Sequence, residues 1–204
     1  MTGLAIRTFL TMFVVIDPVG LVPMFLALAG DRPAAEQRRI ALRAILIASV
    51  ILISFGVGGS WLLGWLEISL DAFRVAGGLL LFRIAVHMVF ASYERETAAE
   101  KNESRGRQDI SVFPLAIPII AGPGAIASLM ILVGESRAYP LGFVLVLAMT
   151  GIVLMLGHLA LIISEPIGRL LGQTGVNVVT RVLGILLAAL AVQYVADGVR
   201  GLLA

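Results

Sequence analysis

Long apolar runs alternate with short polar stretches along this chain, and the runs have the length of bilayer-crossing helices, about 20 residues each. Six can be marked off, at residues 4–29, 40–65, 72–90, 112–133, 141–163 and 178–199. The stretches between them carry most of the charge. Arg32, Arg38 and Arg39 follow the first run, and Trp61, Trp65, Glu67 and Asp71 surround the end of the second. Tryptophans in that position suit the belt where a membrane protein meets lipid headgroups. The stretch from Ser92 to Asp109 is rich in Glu, Lys, Arg and Asn and cannot span. It predicts a solvated connector, about residues 93–110, between a first half at 1–92 and a second at 111–204.

Two of the six runs interrupt themselves. The first contains Asp17-Pro18-Val19-Gly20, followed by Pro23; the fourth contains Pro114, Pro118 and then Ala121-Gly122-Pro123-Gly124. Proline cannot donate the helical hydrogen bond and clashes with the preceding turn, so both motifs predict broken helices. Unpaired backbone in hydrocarbon costs about several kcal/mol, so a break at mid-depth persists only where protein or a water-lined cavity receives it.

The halves also resemble each other. Arg74-Val75-Ala76-Gly77-Gly78-Leu79-Leu80 and Arg181-Val182-Leu183-Gly184-Ile185-Leu186-Leu187 agree at five of seven positions, and Ala85-Val86-His87 answers Ala191-Val192-Gln193 one position out of step. In the same frame, within two residues, Pro18 falls on Pro123. The expected fold is an all-α polytopic membrane protein: six transmembrane helices in two inverted-topology three-helix repeats, the first helix of each broken at mid-membrane. Three spans per repeat is an odd number, so the second half enters from the opposite side.

Composition agrees with a membrane solvent. The 204 residues are 59% hydrophobic and 14% charged, and the mean hydropathy is +1.02. This leaves room for a single transmembrane domain over 1–204 and almost none for a separate soluble one, with none expected after the sixth span; the first run reads as a span, not a cleaved leader. There is no cysteine and there are two histidines without clustered carboxylates, so neither disulfides, nor a metal centre, nor any cofactor is expected. The net charge of +2 arises from bases flanking the spans, which act as topology signals and not as a nucleic-acid surface. Ten of them (Arg32, Arg38, Arg39, Arg43, Arg95, Lys101, Arg105, Arg107, Arg169 and Arg181) fall on one side and four (Arg7, Arg74, Arg137 and Arg200) on the other. The first side is expected to be cytoplasmic, with both termini outside.

Candidate chemistry lies at the breaks. A half-helix that starts in the membrane presents free N–H groups and a positive dipole end, suited to a carboxylate; one that ends there presents carbonyls, suited to an ammonium or a cation. A small zwitterion satisfies both. The candidate substrate-binding residues are Asp17, Pro18, Val19, Gly20, Leu21, Gly122, Pro123 and Gly124. Asp17 has two compatible readings, as the cap of the helix after it or as a ligand for a substrate amine or a proton. Arg83 and His87, four residues apart on one face of the third span, are candidates for cavity lining or coupling together with Asp17 and Gln193. Arg83 is expected to neutralise Asp17 or to fix helix packing, and His87 to titrate. His158 reads as an interface histidine, and Gly77, Gly78 and Gly184 read as close-packing positions.

The motifs Asp17-Pro18-Val19-Gly20 with Val22-Pro23, the run Ile117-Pro118-Ile119-Ile120-Ala121-Gly122-Pro123-Gly124-Ala125-Ile126 and the Gly77-Gly78 span resemble the MarC family of bacterial inner-membrane proteins. The resemblance covers nearly the whole chain. It implies a six-span fold related to the LysE-type exporters and carriage of small neutral amino acids such as glycine or alanine. The family takes its name from a multiple-antibiotic-resistance locus, which points weakly to drug export. Leu21 stands where many members have asparagine, and His87 where glutamine is common, so specificity is expected to differ here. Together these readings predict a multi-pass secondary transporter in the bacterial inner membrane, coupled to a proton or sodium ion and compatible with a homo-oligomer. The alternatives are an exporter of another small metabolite or drug and a passive channel. An ATP-driven pump lacks its GxxxxGK[ST] motif, and an enzyme lacks a nucleophile–base pair.

Overall fold

The computed structural model describes residues 1–90 and 110–204; the polar connector, with Arg95, Lys101, Arg105 and Arg107, lies outside the described residues. The described residues contain helices and no strand. The first span is α1 (Thr2–Ile16) and α2 (Leu21–Ala29), separated by the predicted break. It is followed by α3 (Ala34–Trp65) and α4 (Leu70–Val89). In the second half, α5 (Ser111–Ile120) and α6 (Pro123–Ser136) form a span bent by 52°. The helices α7 (Gly142–Ile162) and α8 (Ser164–Leu203) complete the chain, α8 turning at Gly172, whose φ of 61° suits glycine. Counting the bent pair as one, six segments among the described residues are long and apolar enough to cross a membrane. The chain is an integral, multi-pass, all-α protein.

Each element forms for a local reason. Ser69 caps α4, its hydroxyl accepting the Ala72 N–H at 3.1 Å. Pro114 and Pro118 deprive α5 of two donors, and its backbone leaves helical values at Phe113 and Ile117. The remaining bonds there reach back five residues, as from the Ala121 N–H to the Ala116 carbonyl at 2.9 Å. The Phe113-Pro114 and Ile117-Pro118 peptides are cis. Trp61 and Trp65 stack at 5.6 Å on the exposed end of α3.

Met1, the α3–α4 turn, the α6–α7 turn and Ala204 share one face of the molecule, here the terminus face; the α2–α3 turn lies at the opposite, connector face. The packing crosses between halves. The α1–α2 span lies against α7 and α8, while the α5–α6 span lies against α3 and α4. In the centre α3 meets α7, and α4 runs along α8 in the most extensive contact. Small residues make that contact possible. A Cβ on Gly78 would stand 2.8 Å from the Ala191 carbonyl oxygen, and one on Gly184 would stand 3.2 Å from that of Ala85. Ala85 and Ala191 answer each other in the alignment of the halves, and each faces a glycine of the opposite helix. Gly198 continues the seam: a Cβ there would stand 2.6 Å from the Asp71 carbonyl oxygen.

Candidate functional site

The first break is built by Asp17. It ends α1 in the left-handed conformation (φ 46°, ψ 69°), with its N–H still bonded to the Phe13 carbonyl at 3.0 Å. Its carboxylate Oδ1 accepts the Gly20 N–H at 3.0 Å, and its carbonyl accepts the Leu21 N–H at 3.0 Å. One residue thus closes one helix and caps the next. Gly20 must be glycine for this to happen, because a Cβ there would overlap Asp17 Oδ2. Asp17 is 9% exposed, Pro18 is buried, and Val19 and Gly20 are half-buried. Next to the carboxylate stands Thr180 of α8, with a buried hydroxyl.

The second break is bare by comparison. Gly122 is extended (φ −77°, ψ 171°), has no side chain to cap α6, and places Pro123 in the first helical turn, where a missing N–H costs nothing. A Cβ on Gly122 would strike the Pro118 carbonyl oxygen. One on Gly124 would press Ile84 Cδ1 at 2.8 Å and Leu81 Cδ2 at 2.9 Å on α4, with Val15 Cγ1 of α1 at 3.7 Å. Through Val15 and Gly124 the two breaks are brought together. Gly122 and Gly124 are buried, whereas the Pro123 ring is exposed.

The remaining candidates stand elsewhere. Leu21 is 2% exposed and packs toward Gly157 of α7, so its side chain belongs to the core. Arg83 is exposed and is not placed to neutralise the buried Asp17, contrary to expectation. The reason is helical phase. The buried stripe of α4 is Gly77, Gly78, Leu81, Ala85 and Met88, and a residue two places from Leu81 points about 200° away. His87, two places beyond Ala85, is half-buried. Gln193 is exposed and donates to Asp197 at 2.8 Å; its neighbour Tyr194, 1% exposed, is the one that turns inward.

The sequence candidates omit several inward polar residues: half-buried Thr180 beside Asp17, and the buried Thr8, Thr11, Ser128 and Tyr194. The i, i+3 spacing of Thr8 and Thr11 in an apolar run is the available signal. It is a weak one, because threonine is at home in membrane helices, where its hydroxyl can bond the preceding turn.

The fold and these breaks define an integral membrane protein built on paired discontinuous spans. The chain belongs to the MarC family: the model of the "MarC family integral membrane protein" matches residues 3–203. Among relatives, it is 36% identical over 201 residues to the UPF0056 membrane protein MJ1677 of Methanocaldococcus jannaschii, covering 97% of both chains. It is 36% identical over 211 residues to the UPF0056 membrane protein YvbG of Bacillus subtilis, covering 99% of this chain and 97% of that one. The UPF0056 membrane protein YhcE of Escherichia coli is 35% identical over 202 residues, with 96% and 92% covered. No solved structure matches.

Proposed function

We propose that this protein is a secondary transporter for small neutral amino acids of the glycine and alanine class. In this reading the halves are inverted-topology repeats that rock about the two breaks by alternating access in the bacterial inner membrane, with both termini outside. The carrying observation is the buried Asp17 carboxylate at the first break, close to an uncapped helix start at the second. A substrate ammonium would meet Asp17 and the Thr180 hydroxyl; a substrate carboxylate would meet the N–H groups that open α6. The reciprocal glycine contacts of α4 and α8 support the two-fold relation. The break leaves little volume beside Gly124, which favours a short side chain. Coupling to a proton or sodium ion follows from a carboxylate that must be neutralised when no substrate is bound.

Proteoliposomes containing the purified protein are expected to accumulate labelled alanine or glycine faster than empty liposomes, with a further rise under an inward proton or sodium gradient. Uptake equal to that of empty liposomes under every gradient would remove the amino acid reading. Stepwise single-channel currents would replace it with a pore.

A further inference from the structure

A second group of buried polar side chains lies between the breaks and the terminus face, where α6 and α8 each pack on α1. The helices α1 and α6 run antiparallel, in register from Val15 against Gly124 at one end to Arg7 against Glu135 at the other. This register brings the face of α1 that carries Thr8 and Thr11 against the face of α6 that carries Ser128. Tyr194 of α8 completes the group, its phenol next to Thr11 and near Arg7, Arg74 and Glu135. All four side chains are buried, Thr8 and Ser128 entirely. Yet the hydroxyls of Thr8 and Ser128 have no protein hydrogen-bond partner. A buried hydroxyl without a partner costs about 1–3 kcal/mol, and an apolar residue would serve helix packing equally well.

Directly above the hydroxyls sits a chain of charges. Arg7 grips Glu135 with two bonds, Nη1 to Oε2 at 2.8 Å and Nη2 to Oε1 at 3.3 Å. Arg74 reaches the same carboxylate at 3.5 Å and holds Asp71 at 2.6 Å. Asp71 in turn packs against Gly201, where a Cβ would overlap its carboxyl carbon. The chain ties α1, α4, α6 and the end of α8 on the terminus-face side of the hydroxyls. Glu135 and Arg74 are partly exposed, their side chains at 19% and 21%, while Arg7 is exposed at 44%.

We propose that Thr8, Thr11, Ser128 and Tyr194 line the terminus-face leg of the permeation pathway, a site for water and small hydrogen-bonding solutes, and that Arg7, Glu135, Arg74 and Asp71 are its gate, closed in this structure. When the gate opens, water or a passing zwitterion pairs with the hydroxyls. The inference rests on the transport reading, but its test does not use transport.

The chain has no cysteine, so each engineered thiol is the only one present. Thr8→Cys and Ser128→Cys, nearly isosteric, are made singly in nanodisc-embedded protein and labelled with a trimethylammonium-ethyl thiosulfonate. Slow labelling is expected. In a Glu135→Gln background both rates should rise roughly tenfold as the closed state loses its ion pairs. The exchange Arg7→Glu with Glu135→Arg should restore slow labelling. Leu129→Cys, in the fully buried apolar core, controls for unfolding and should stay slow throughout. Fast labelling with the gate intact, no rise in Glu135→Gln, or an equal rise at Leu129→Cys would each overturn the proposal. A labelling failure alongside normal alanine uptake removes the gate alone; gated labelling without any uptake removes the amino acid substrate alone.

Discussion

At the scale of single residues, the site depends on a contact too short to tolerate one extra carbon. Gly20→Ala must push away the Asp17 carboxylate that caps α2, because the new methyl would overlap Oδ2. Two functions of Asp17 can be separated by substitution. Asp17→Asn keeps an oxygen for the Gly20 N–H, whereas Asp17→Ala gives up the cap, at a cost of about 0.5–2 kcal/mol. Asp17→Asn is therefore expected to melt within a few degrees of the parent and Asp17→Ala clearly below it, in thermal scans of detergent-solubilised protein. Both should lose coupled alanine uptake, since neither side chain carries the charge. Full uptake by Asp17→Asn would reduce Asp17 to a cap. Gly20→Ala should lower both stability and uptake, the second by displacing a carboxylate that is still present.

Among the helices, the seam between α4 and α8 shows which sequence signals survive in a membrane and which do not. Breaks are legible, because they follow from covalent properties of proline and glycine that no solvent alters; both appear within a residue or two of Asp17-Pro18 and Gly122-Pro123. Helix faces are not. In water the buried side of a helix is marked by apolar residues, but in lipid both sides are apolar, and α4 exposes Leu79, Leu80 and Phe82 while burying Leu81 and Ala85. With no polar-to-apolar contrast to set the phase, the sequence directs Arg83 and Gln193 to an inner face, and both are exposed. Small residues mark the inner face better than apolar ones do. Gly78→Ala should destabilise by about 1–3 kcal/mol, because its methyl meets a backbone oxygen and the Val195 side chain, both at 2.8 Å. Gly58→Ala on α3, with nothing within 4 Å, should instead be neutral or stabilising by about 0.5–1 kcal/mol. Denaturant titration of the two variants in detergent checks the contrast, and equal effects would mean that the α4–α8 seam is not tight.

Across the whole molecule, the halves pack on each other more than within themselves, so a rocking motion must open seams between halves. On the terminus face the seam is α1 with α6, held by charges. Near the connector face it is α2 with α8, and there the contact is apolar: a Cβ on Gly168 would lie 2.9 Å from Leu26 Cδ1, and both positions are half-buried. The terminus-face seam is shut by the Arg7–Glu135 pair in this structure, so in an alternating cycle the connector-face seam is the one that should part while that pair holds. This makes it the place to stop the cycle. Leu26→Cys with Gly168→Cys introduces the only two thiols in the chain, close enough for an oxidant or a short bifunctional reagent to join. Joining them should abolish alanine uptake in proteoliposomes, and where a disulfide was formed, dithiothreitol should restore it; each single-cysteine variant should transport normally under the same oxidant. Uptake that persists in fully cross-linked protein would show that α2 and α8 stay together through the cycle. Alternating access would then have to run through the α5–α6 span against α3 and α4, or not operate at all.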